Sequence, residues 1–164
     1  MDAPLITAGA ALLLALAPIP VAADVTVKFV DPGAYTDIGR YGYDVAHNLD
    51  TLERHFTHLG KQCLGQGQSL DLRVLDVDLA GRFEWWRRAA YDVRVMNDIT
   101  WPRVVLTYVW RDDAGQVLGE GRARIIDQSY LWRSAYVRNS SDELPYEKAM
   151  LRDWLGKTFC RNLG

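Results

Sequence analysis

Neither sign of charge dominates this chain: 19 Lys and Arg stand against 21 Asp and Glu over 164 residues. A balanced chain has no general attraction to phosphate backbones or anionic membranes, so nucleic acid is not an expected partner. Histidine is scarce, and His47, His55 and His58 all fall on one helical stretch with no further ligand in reach, which argues against a zinc site. No Gly-x-Ser-x-Gly elbow occurs, and no serine sits on a sharp strand-to-helix turn, so serine nucleophile chemistry has no footing. Gly65 and Gly67 follow a helix and precede a strand, the reverse of what a dinucleotide phosphate loop needs. No cofactor is expected.

Long apolar runs are missing from all but the N-terminus. From Ala3 to Ala23 there is no charge, and Val21-Ala22-Ala23 ends the run in small residues. This predicts a signal peptide over residues 1–23 and a single domain over residues 24–164 in the periplasm or secreted. Pro18 and Pro20 interrupt the run, against a spanning helix, so no membrane insertion is expected after cleavage. Such a leader normally opens with a basic region; here Asp2 is the one charge, which suggests a start upstream of Met1. Removing Asp2 with the leader leaves 20 acidic against 19 basic residues.

What the remainder does have is clear periodicity. Val25, Val27 and Phe29 alternate as in a strand, and Val45, Leu49, Leu52, Phe56, Leu59 and Cys63 recur at intervals of four and three, which predicts a helix over 43–62. Leu70, Leu72 and Val74 share one strand face, whereas Leu75, Val77 and Leu79 share the other, so a bulge or cover on both faces is required. Residues 81–90 have no period and predict a protruding loop. Residues 101–111 and 116–127 flank Asp112-Asp113-Ala114-Gly115 as a hairpin. In its second strand Gly119, Gly121 and Ala123 form a small-residue face on which a helix is expected to sit. A closing helix starts at Leu144-Pro145, proline being tolerated in the first turn. The expected fold is α+β: a mostly antiparallel sheet of about four to five strands packed against two amphipathic helices.

Both cysteines, Cys63 and Cys160, lie beyond the leader, and an even count in an exported chain favours a bridge between them. Helical phase opposes it. Cys160 falls about 180° from Leu151 at 100° per residue, so bridging requires the last turn to unwind or the helix to pack obliquely.

Two groups of residues are candidates for function. Asp76 and Asp78 alternate on a strand, which puts both carboxylates on one face, where they are candidates to hold a hard cation or divide acid and base roles. The competing reading is that the strand end leaves the core with Arg103 or Arg122 opposite. Trp85, Trp86, Arg87, Arg88 and Tyr91, with Trp101 and Arg103 at the hairpin entry, combine rigid aromatic surface with guanidinium donors, the composition of an interface hot spot. Tryptophan faces also stack on sugar rings.

Phe29-Val30-Asp31-Pro32, then Asp76 to Gly81, then Val93-Arg94-Val95 with Asp98 to Arg103, and finally Tyr146 to Trp154, in that order and spacing, resemble the family called domain of unknown function 3016. The resemblance covers essentially the whole of the chain after the leader. It implies an exported gram-negative single domain, with no activity, cofactor or catalytic residue to carry over. Three readings follow: a non-enzymatic binding or assembly-accessory domain for a periplasmic protein or cell-wall component, a divalent-metal-binding protein or metal-dependent hydrolase using Asp76 and Asp78, and a homodimer paired through an exposed sheet edge.

Overall fold

Strand β1 (Asp24–Phe29) buries Val25 and leans Val27 and Phe29 on the core. Helix α1 (Gly42–Cys63) follows, its stripe of Leu52, Phe56 and Leu59 buried, and strand β2 (Ser69–Asp78) comes next. The computed structural model describes residues 22–84, 86 and 92–160. The expected leader up to residue 21, and Trp85, Arg87, Arg88 and Tyr91, lie outside the described residues.

Short strands β3 (Arg82–Phe83) and β4 (Arg94–Val95) pair as a two-stranded sheet, so the stretch expected to be wholly loop begins with a strand. Strands β5 (Arg103–Arg111) and β6 (Val117–Ile126) form the expected hairpin. Helices α2 (Ala135–Arg138) and α3 (Pro145–Phe159) close the described chain.

The main sheet runs β1-β2-β5-β6, and its β1–β2 pair is parallel, Val25 opposite Leu70 and Phe29 opposite Val74. The class is therefore α+β, but the sheet is mixed rather than mostly antiparallel. Period-two alternation records which face a residue takes and carries no information on strand direction. The direction is set by α1, since a parallel pair needs a crossover of a dozen or more residues and a helix supplies it. A third helix, the one-turn α2, also adds to the two expected.

The change of face in β2 is a bulge. Val74 lies opposite Leu106 and Asp76 opposite Val105, leaving Leu75 as the extra residue. Leu70, Leu72, Val74, Val77 and Leu79 consequently all reach one core with Leu52, Phe56, Leu106, Leu151 and Leu155. Close packing of α1 on β1 depends on Gly60, where a Cβ would lie 2.8 Å from a Val25 methyl.

On β6 the small-residue face receives rings before it receives a helix. A Cβ on Gly121 would sit 3.2 Å from the Tyr108 hydroxyl. Tyr108 and Trp110 in turn meet Phe159 of α3 edge to face, with ring centroids 5.3 and 5.8 Å apart, a geometry that aromatic quadrupoles favour.

Cys63 and Cys160 are joined by a disulfide, with Cα atoms 4.4 Å apart. Cys160 lies just past α3 with φ −85° and ψ 98°, an extended conformation. Leaving the helix one residue early turns the side chain toward α1 and removes the conflict of helical phase.

Candidate functional site

At the end of the sheet where β2 finishes, five segments distant in sequence converge. The loop after β1 is held along the end of β2 by backbone bonds, Asp37 N–H to the Val77 carbonyl at 2.9 Å and Leu79 N–H to the Asp37 carbonyl at 3.1 Å. Tyr35 donates its hydroxyl to the Val74 carbonyl, and burial pushes that phenol up to about 12. Gly39 takes φ 137°, where a Cβ would crowd Asp44 and Val45 at 3.1 Å, so the loop lies flat on the first turn of α1. Asn48 ties it down through the Ile38 carbonyl at 2.8 Å.

The bulge at Leu75 turns Asp76 and Asp78 to the face opposite the helices. Asp76 accepts the Thr36 N–H and hydroxyl at 2.8 and 2.9 Å, and Arg103 Nη2 at 3.0 Å. The same Arg103 nitrogen lies 3.3 Å from Asp78. Burial holds the Asp78 carboxyl above its ordinary range, Arg103 opposing this and Asp37 and Asp76 adding to it. The two aspartates and Arg103 thus come together as one ionic group, with Arg103 facing Asp78 in register. Among the described residues, no group of three His, Cys, Asp or Glu is placed to hold a metal ion.

A second pair lies behind it. Arg94 on β4 binds Asp37 with both terminal nitrogens, at 2.8 and 3.1 Å, and donates to the Gly81 carbonyl at 3.0 Å. A bidentate guanidinium–carboxylate contact fixes direction as well as charge. Glu147, in the first turn of α3, is buried and accepts the Ala80 N–H at 2.7 Å. Desolvation drives its carboxyl upward, with the Ala80 bond acting against it.

That upward shift has a definite sign in stability. A carboxyl whose folded value exceeds its unfolded value of 4.5 favours folding below pH 4.5 and loses that contribution as pH rises toward the folded value. Glu147→Gln keeps an acceptor for Ala80 and cannot ionise. Urea melts should show the variant level with the native chain near pH 4 and gaining on it steadily toward pH 8; parallel curves would refute the assignment.

Beside these pairs opens a groove of ≈ 500 Å³ between the start of α1, the β3–β4 sheet and Leu144. Tyr41 and Tyr43, exposed at 59% and 79%, stand on its rim. Phe83 lies under two guanidinium groups, Arg94 at 4.7 Å and Arg40 at 5.3 Å from the ring centroid. Arg40 also reaches Asp92 at 3.3 Å, and His47, stacked near Tyr43, reaches Glu143 at 2.8 Å. Donors, acceptors and flat apolar rings line one trough, a combination suited to holding a polar ring compound or a chain of them.

Of the residues singled out in sequence, Trp86 is half exposed under Arg82, whose guanidinium carbon lies 5.4 Å from its ring centroid. It is not among the residues that line the groove. Trp101 is half buried at the entry to β5, and Arg103 is turned into the Asp76–Asp78 group. Sequence reasoning missed Tyr41, Tyr43, Arg40 and Arg94. The signal for Arg94 was a lone arginine inside the apolar run Val93 to Met96; the tyrosines sat in an aperiodic loop and gave none. His55 is half buried, and its Nε2 meets the Lys148 carbonyl of α3 at 2.9 Å.

No curated protein and no solved structure matches the chain. A family model described as "Protein of unknown function (DUF3016)" matches residues 23–157, from the residue before β1 to within two residues of the end of α3. The match takes in every strand and helix that frames the groove and the ionic pairs, and the chain belongs to that family.

Proposed function

We propose that this is a periplasmic or secreted, non-enzymatic binding domain that engages a cell-wall glycan through the groove beside Phe83. The observation that carries the reading is the trough itself: exposed Tyr41 and Tyr43 above a ring-and-guanidinium floor of Phe83, Arg94 and Arg40. Flat aromatic faces cover the apolar face of a sugar ring, while Asp44, Asn48, Asp92 and Arg40 offer hydrogen bonds to its hydroxyls. The disulfide supports an oxidising compartment. Among the described residues no helix is long and apolar enough to cross a membrane.

Co-sedimentation with purified peptidoglycan sacculi, followed by calorimetry with soluble fragments of them, tests the reading. Tyr41→Ala with Tyr43→Ala should weaken binding about tenfold or more, ~1.4 kcal/mol, since both rings line the groove, both are exposed and neither is part of the core. The melting temperature should not move. A native chain that ignores both sacculi and fragments sinks the glycan assignment.

A second reading, divalent-metal binding or a metal-dependent hydrolase at Asp76 and Asp78, draws on the raised carboxyl of Asp78 beside two further aspartates. Against it, Arg103 already lies on both carboxylates. Elemental analysis and titration with magnesium, calcium and zinc decide between them; uptake that Asp76→Asn abolishes would establish the metal reading.

A further inference from the structure

The outer edge of the sheet at β6 carries a pattern that the groove does not use. Among the described residues β6 pairs with β5 alone, so one side of a ten-residue strand has free backbone donors and acceptors. Exposed edges are ordinarily blunted by charged side chains, proline or a bulge; β6 has no lysine or proline, its bulge at Leu118 lies outside Gly119 to Ala123, and its charges there are of both signs. Val117 and Leu118 on this strand are exposed at 47% and 46%.

We propose that two copies of this chain join edge to edge, β6 against β6 in antiparallel, with Gly121 on the two-fold axis. In that register Glu120 of each copy lies opposite Arg122 of the other, and Gly119 lies opposite Ala123. Glu120 and Arg122 are both exposed on the face away from the helices, and within one copy neither has an ion-pair partner among the described residues. Moving the axis one residue sets Glu120 against Glu120, or Arg122 against Arg122 with Glu120 opposite Arg124 on either side, and like charges directly opposite are destabilising. A one-residue slip of either strand would instead pair the wet face with the core face. The register centred on Gly121 is the one of these that makes Glu–Arg pairs with no like charges opposed, and the self-complementary pattern commits the edge to one occupant, a second copy. On the helix side the small residues Gly119 and Ala123 leave room for the Tyr108 and Trp110 rings of both copies to approach the axis.

Sedimentation of the purified chain over a concentration series reads the result. A two-copy species should grow with concentration. Glu120→Arg and Arg122→Glu should each weaken it about tenfold or more, because two attractive cross-strand pairs become repulsive. The double exchange, Glu120→Arg with Arg122→Glu, should restore it, which loss of fold or of charge alone would not do. A single-copy mass at every concentration overturns the proposal and leaves the edge to strands of other proteins. Single variants that associate like the native chain, or a double variant that fails to recover, overturn it equally.

Discussion

Replacing Cys63 and Cys160 together by serine is expected to lower the stability of the folded chain by about 4 to 5 kcal/mol. The bridge spans a sequence separation of 97, and closing a loop of that length removes about this much conformational entropy from the unfolded chain. It joins the last residue of α1 to the residue after α3, so the two helices that cover the sheet are tied at one end. Urea unfolding with and without reductant measures the effect. The native chain in reductant should fall onto the serine variant, and a difference below about 1 kcal/mol would mean that the unfolded ensemble is not constrained by the link.

The second large effect is expected at Arg94. Its side chain is 18% exposed and that of Asp37 25%, so removing the guanidinium leaves a mostly buried carboxylate without its bidentate partner. Loss of one member of a fully buried pair costs roughly 3 to 5 kcal/mol, and partial solvent access lowers this to about 2 to 3 kcal/mol for Arg94→Ala. Arg94→Ala with Asp37→Asn should recover part of the loss, because the stranded charge goes with it. The groove reading adds a second consequence. Arg94 also covers Phe83 and fixes β4 to the Gly81 carbonyl, so the alanine variant should lose glycan retention at temperatures where it is still folded. Full stability in Arg94→Ala would show the pair to be ornamental.

Much of the scaffold was legible because it is encoded locally. The apolar stripe of α1, the hairpin at Asp112 to Gly115 and the start of α3 at Pro145 each follow from residues within one or two turns of one another. The change of face in β2 was visible as a clash between two alternations, and the bulge is the simpler of its two solutions. The parallel β1–β2 pair was hidden for the opposite reason, since direction is a property of the connection and not of the strand.

The site was less legible still. Arg94 and Asp37 are 57 residues apart, and Glu147 meets Ala80 across 67. Neither partner bears a local mark of the other. Asp76 and Asp78 were visible as a pair, and Arg103 was among the expected neighbours, because antiparallel strands bring alternate residues opposite one another in a countable way.

Leu75 has a consequence beyond the shape of β2. The strand is read in steps of two, and one supernumerary residue changes the reading frame: core letters fall on even numbers up to Val74 and on odd numbers from Val77. Were Leu75 paired as an ordinary strand residue, Asp76 and Asp78 would be spelled into the hydrocarbon layer beneath α1 and α3, and Val77 into water. Counting, more than chemistry, is thus what this position contributes. Many side chains serve at residue 75, and its deletion would leave Asp76 opposite Val105 and Val77 opposite Val104; it is the pairing of residue 75 as an ordinary strand position that would mistranslate everything downstream, including both acids that meet Arg103.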